Sequence, residues 1–177
     1  MSSMFGRDHQ TRTDSGVRLT YDDFVLFPDD GKRHELIDGE HYVTPSPNTK
    51  HQMVAMNMAG LIWSYLQDHP VGRVFAAPFD VVFSDFDVVE PDILYMSTAR
   101  AAEILTTKHV RGVPEYWVVD PDLDVVRIHR RARDHRAAQH FDRPVERRLD
   151  ADAVLTSSLL PGLDIPLTSV FREPGTA

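Results

Sequence analysis

Along HQMVAMNMAGLIWSYLQDHP, Val54, Met58, Leu61, Ile62 and Tyr65 recur every three or four residues and fall on one stripe. That period predicts an amphipathic helix, capped by Asn48 or Thr49 and ended by Pro70, with His51 on the core-facing side of its first turn. Elsewhere the apolar positions alternate. RHELIDGEHYV predicts a hairpin turning at Asp38-Gly39. VGRVFAAPFDVVFSDFDVVEPDILYMS predicts three strands, with VVEPDILYM as one of them. EYWVV, bounded by Gly112, Pro114 and Pro121, and DVVRIHRR predict two more. Short helices are expected after Thr20, with Asp22 and Asp23 in the first turn, and after Ser97 or Thr98. The run LTSSLLPGLDIPLTSVF, broken by Pro161-Gly162 and Pro166, is expected to strap irregularly across the body. The class is α+β: a mixed β-sheet flanked by helices, with one main helix packed on it.

Composition narrows the chemistry. The chain has 177 residues, 42% hydrophobic and 26% charged, which suits one domain over 19–171 between polar tails at 1–18 and 172–177. It has no cysteine, so disulfides, thiolate metal sites and cysteine nucleophiles are excluded. Neither a membrane span nor the apolar core of a signal peptide is evident, which makes a cytoplasmic protein the expectation. The net charge of −8 argues against binding nucleic acid over the whole surface. The charge is uneven, however. Arg127 to Arg148 holds eight arginines and three histidines against three acids. It reads either as a solvated hairpin face or as a phosphate-contacting stripe through Arg127, Arg130, Arg131 and Arg133.

Glu90 and Asp92 sit two apart in VVEPDILYM, so on a strand they share a face and can hold a hard cation through oxygen. Glu35, opposite in facing to Leu36, reads on its own as a surface acid. His51 reads as a core-capping histidine or as a side chain aimed at a phosphate or water. No phosphate-binding glycine loop, HExxH or G-x-S-x-G occurs, and the nine histidines lack ligand spacing.

The segments RHELIDGEHYVTPSPNTKHQMVAMNM, VVEPDILYMS, GVPEYWVVDP with VVRIHRR, and LLPGLDIPL occur in this order. Together they resemble the Uma-type restriction endonucleases, a bacterial family of the PD-(D/E)XK nuclease superfamily, over about Leu19 to Phe171. The resemblance implies a restriction-endonuclease-like fold and Mg²⁺- or Mn²⁺-dependent hydrolysis of DNA phosphodiester bonds. It implies catalytic roles for Asp92, Glu35 and His51, with Asp92, Glu90 and Asp120 as the acids on offer to a metal.

One departure stands out. The family places a strand with its second carboxylate, then a lysine-bearing helix, before the GVPEYW strand. Here HVRG runs straight into VPEYW. The expectation is therefore a fold lacking one central strand and helix. GVPEYWVVD is the candidate to slide into that slot, but the glutamate position then falls on Val119 and Asp120 comes one residue late, on the opposite face. Lys108 is the one candidate for the lysine. Two functional expectations follow: an endonuclease completed by Asp120, Glu90 or a second subunit of a homodimer, or a degenerate member that binds nucleic acid without cutting.

Overall fold

The computed structural model describes residues 11–13, 16–104, 109–131, 141–151 and 153–173. The first half holds β1 (Thr11–Thr13), α1 (Tyr21–Phe24), β2 (Arg33–Ile37), β3 (Glu40–Thr44) and the long helix α2 (Thr49–Asp68). Then come β4 (Gly72–Ala76), β5 (Asp80–Ser84), β6 (Asp87–Val89), β7 (Ile93–Ser97) and α3 (Thr98–Ile104). The remainder is β8 (His109–Arg111), β9 (Glu115–Asp120), β10 (Val125–Arg130), β11 (Val145–Arg148), β12 (Val154–Ser157), β13 (Leu160–Pro166) and α4 (Leu167–Val170). The class is α+β, as the apolar pattern predicts.

Local chemistry explains the strongest elements. Asn48 caps α2 by accepting the His51 N–H at 2.8 Å. The Thr20 N–H and hydroxyl both donate to Asp23 Oδ2 at 2.8 Å, which starts α1. Asp38 (φ 54°) and Gly39 (φ 77°) give the β2–β3 hairpin the paired positive φ of a tight primed turn.

A six-stranded sheet runs β1-β3-β2-β6-β5-β8, antiparallel except for β8, which lies parallel on β5. Its two faces bury different sets. Leu36, Val82 and Val88 pack under α1, while Val81, Val89 and Val110 face Leu94 and Met96. A second layer forms where Val54, Met58, Ile62 and Leu66 of α2 meet Val126 and Ile128 of β10. The C-terminal Leu155, Ile165, Leu167 and Val170 complete that core.

Four expectations are corrected. VVEPDILYM is two strands in different sheets, because Pro91 has no N–H for a ladder and ends β6 before β7 begins, so the region holds four strands rather than three. GVPEYWVVD does not slide beside β5. Its strand β9 pairs with β10, and the short β8 takes the place on β5. The C-terminal run is a β12–β13 hairpin followed by α4, not an irregular strap, because Leu155 and Ile165 pair across it and are both buried. Thr11–Thr13, inside the expected N-terminal tail, pairs with β3. Within the basic run, Val145–Arg148 forms β11 on the edge of the β11-β10-β9 sheet, with all four residues exposed. Residues 1–10, Lys108, Arg133 and 174–177 lie outside the described residues.

Two histidines tie the fold to pH. Burial holds the pKa of His129 below the ordinary histidine value, and the Arg127 charge adds to this. Burial followed by the neighbouring His34 does the same for His41. A depressed base binds its proton more weakly folded than unfolded, so its contribution is full above about pH 6.5 and is lost as pH falls through the folded value. The melting temperature should therefore fall between pH 7.5 and 5.5, and in His129→Phe it should fall less. Calorimetry at the two pH values checks this; equal slopes in parent and variant would refute it.

Candidate functional site

The site is built where β2, the β6–β7 break and the first turn of α2 meet. Arg33 and Glu35 are two apart on β2 and so project to one face. The break at Pro91 carries Glu90 and Asp92 toward them. Arg33 Nη1 donates to Asp92 Oδ1 at 2.9 Å, Nε lies 3.7 Å from Glu90 Oε1, and Nη2 donates to the Glu90 carbonyl. His51 Nε2 donates to the other oxygen of Asp92, also at 2.9 Å. Glu35, expected at the surface, is 8% exposed. It accepts the Glu90 N–H at 3.1 Å and the Thr44 hydroxyl at 2.7 Å. That supplies the partners a buried carboxylate requires.

The two acids at the break are pushed apart. Burial raises Glu90, with Arg33 opposing and Asp80, Glu35 and Asp92 adding to the rise. Burial would raise Asp92 too, but the His51 hydrogen bond and the Arg33 charge together outweigh it and leave Asp92 below its ordinary value. Asp92 is therefore a carboxylate held between two donors. Tyr116 of β9 sits close by, its hydroxyl raised by burial and then by the Glu35 and Asp92 charges.

These acids as folded do not fit a divalent cation. Such an ion needs several oxygens converging on one point. Here the guanidinium of Arg33 stands between Glu90 and Asp92, and Glu35 is committed to a backbone N–H and a hydroxyl. Asp120 is elsewhere in function: it accepts the N–H groups of Asp122 (3.2 Å) and Leu123 (3.1 Å) in the β9–β10 turn. Among the described residues, no three His, Asp or Glu side chains are placed to hold a metal.

The structure thus brings Glu35, His51, Glu90 and Asp92 together and leaves Asp120 apart. Sequence reasoning missed Arg33, Thr44 and Tyr116. Arg33 was detectable, since the two-residue period that put Glu35 on one face of β2 puts Arg33 there too.

The arginine stripe is largely matched by acids. Arg127 lies 3.2 Å from Glu146 Oε2 and 3.8 Å from Asp120 Oδ2. Arg130 lies 2.6 Å from Glu115, whose side chain is 6% exposed. Arg131 donates to the Val113 carbonyl at 3.2 Å and stacks over Phe141. Arg147 and Arg148 lie on exposed β11, Arg148 within 3.4 Å of Glu146 and 3.5 Å of Asp150.

Next to the acid cluster lies a cleft of about 550 Å³, lined by Arg33, Glu35, His51 and Asp92 at one end and by β7 and β9 along its sides. No helix is long and apolar enough to cross a membrane among the described residues.

Comparison with known proteins agrees with this architecture. Residues 21–110 match the Uma2 family, described as "Putative restriction endonuclease". A crystal structure of "a putative nuclease belonging to DUF820" from Anabaena variabilis superposes with a TM-score of 0.62 at 20% identity. The superposition covers 86% of this chain and 97% of that one, which establishes a shared fold. No protein with a curated description matches the chain.

Proposed function

Since this chain belongs to the Uma2 family, we propose that it is a nuclease-fold protein that binds DNA and that, as a lone chain, does not cut it by divalent-metal chemistry. Nucleic acid as the ligand is supported by the family. The second half of the reading is carried by one observation, the guanidinium of Arg33 between the carboxylates of Glu90 and Asp92. In this arrangement Arg33 supplies the positive charge, Asp92 holds His51 by one oxygen, and Glu35 fixes the Glu90 backbone through its N–H. The cluster then orders one end of the cleft, and contact with a polyanion falls to the exposed arginines of β11.

The opposing reading is a Mg²⁺- or Mn²⁺-dependent endonuclease, favoured by the same three acids gathering around one cation-sized group. A single pair of assays separates them. A fluorescein-labelled duplex should bind with an affinity that falls as salt rises, and Arg147→Ala with Arg148→Ala should lower the log–log salt slope by roughly 1–2. Those exposed arginines are preferred to Arg130, whose removal would strand the buried acid of Glu115. Supercoiled plasmid incubated with Mn²⁺ should stay intact. Plasmid nicking that Asp92→Ala abolishes would establish the endonuclease instead, and salt-insensitive or absent retention would remove DNA as the ligand.

A further inference from the structure

The outward face of α2 is built unlike a solvated helix face. One stripe of the helix, Val54, Met58, Ile62 and Leu66, is used by the core. A surface helix normally turns charged and polar side chains to the opposite side. Between Lys50 and Asp68, however, α2 carries no Asp, Glu, Lys or Arg, although 26% of the chain is charged. In their place Met56 stands 71% exposed and Trp63 58% exposed, with Gln52, Gly60 and Gln67 exposed on the same side.

Two details of this face point to what covers it. A Cβ added at Gly60 would meet nothing within 4 Å, so packing inside the chain does not call for glycine, which weakens a helix relative to alanine. A glycine there does let a second helix come close, since the distance between packed helices follows the side chains at the contact. The order of the exposed side chains is also symmetric. Gln52 and Gln67 are centred between Ala59 and Gly60, and so are Met56 and Trp63. A two-fold axis at that point lays an antiparallel copy of α2 on the face, with Met56 over Trp63 twice and Gln52 beside Gln67 twice. Thioether against indole is a favourable contact, and side-chain amides can exchange hydrogen bonds. The two helix dipoles then oppose each other, and no like charges meet. An unrelated partner would have no use for this symmetry.

We propose that the outer face of α2 seats a second copy of this chain, the two helices packing antiparallel across Gly60 with Met56 of each against Trp63 of the other. The interface is small. An aromatic side chain buries about 150–250 Å², so Met56, Trp63 and their neighbours cover on the order of 800–1,000 Å² over both copies, the low end for a specific interface. The dimer is accordingly weak, with a Kd on the order of 10–100 µM. Away from the face, a net charge of −8 on each copy opposes association. Added salt therefore tightens the dimer, whereas it loosens a complex with DNA. The proposal does not depend on DNA binding.

Sedimentation velocity of the full chain up to about 300 µM should show a monomer–dimer equilibrium that shifts toward dimer as salt rises. Trp63→Glu would bury a carboxylate against Met56 of the second copy and should raise the Kd about tenfold or more. Its melting temperature should hardly change, because the residue is exposed. The chain has no cysteine, so Gly60→Cys supplies a single thiol. With the helices about 8–9 Å apart, its two Cα atoms come within about 5–6 Å across the axis, and oxidation should link the copies by a disulfide. Gln52→Cys should not link, since under this symmetry its two positions stand about 22 Å apart along the helices. A chain that stays monomeric at about 300 µM overturns the proposal and leaves the face to an unrelated protein. An undiminished dimer in Trp63→Glu places the interface elsewhere, and linkage through Gln52→Cys overturns the antiparallel arrangement.

Discussion

Arg33→Ala is expected to destabilise the chain by about 2–4 kcal/mol, somewhat below the roughly 3–5 kcal/mol of breaking a fully buried pair. The discount reflects Asp92, whose side chain is 37% exposed and therefore partly screened by solvent. The loss should be large because the guanidinium serves two acids at once, Glu90 at 3.7 Å and Asp92 at 2.9 Å. Without it, Glu90, Asp92 and Glu35 repel one another around an uncompensated space. A divalent cation then becomes the natural replacement. Mn²⁺ at about 100 times its Kd should restore about 2.7 kcal/mol to the variant and leave the parent unmoved. Thermal unfolding of both proteins with and without Mn²⁺ decides the matter. A parent that melts higher in Mn²⁺, with the gain lost in Asp92→Ala, would show that metal displaces the arginine and would revive the endonuclease reading.

Leu155→Ala should cost about 3–4 kcal/mol, inside the range for deleting a buried leucine side chain. Leu155 is 0% exposed and belongs to the cluster that joins α2, β10, β13 and α4. Against a typical total of about 5–15 kcal/mol, that lowers the melting temperature by about 10 °C in a chain of this size. Leu26→Ala, at a residue 81% exposed, should change it by less than about 0.5 kcal/mol. The comparison distinguishes a C-terminal segment integral to the core from one strapped over it. If both variants melt alike, the hairpin is not holding the second layer together.

What was legible in the chain was legible for local reasons. The period of Val54, Met58 and Ile62 with the Asn48 cap specifies α2, and Asp38-Gly39 specifies its hairpin, because each is encoded within a few residues. The misreadings concern long-range pairing. Nothing adjacent to Leu155 says that Ile165 will lie opposite it, and Pro161 and Pro166 argued locally against a strand. The site follows the same division. Asp92, Glu35 and His51 were readable as candidates, but their union depends on a helix turn meeting a strand break 41 residues away. Glu35 seemed a surface acid because one strand cannot reveal that both faces of its sheet are covered. Asp120 was misplaced for want of the same information: its aspartate is consumed by the turn that follows it.

The outer strand β11 bears on the behaviour of the protein in company. Val145, Glu146, Arg147 and Arg148 lie exposed along the rim of the β11-β10-β9 sheet, a place where neighbouring molecules could stitch strand to strand. Three of its four side chains are charged, and Arg148 lies 3.4 Å from Glu146 and 3.5 Å from Asp150, so a strand laid on this rim would have to displace ion pairs. The rim is thus a poor seat for an apolar strand from a second copy, because docking there would trade solvated charges for a buried ladder.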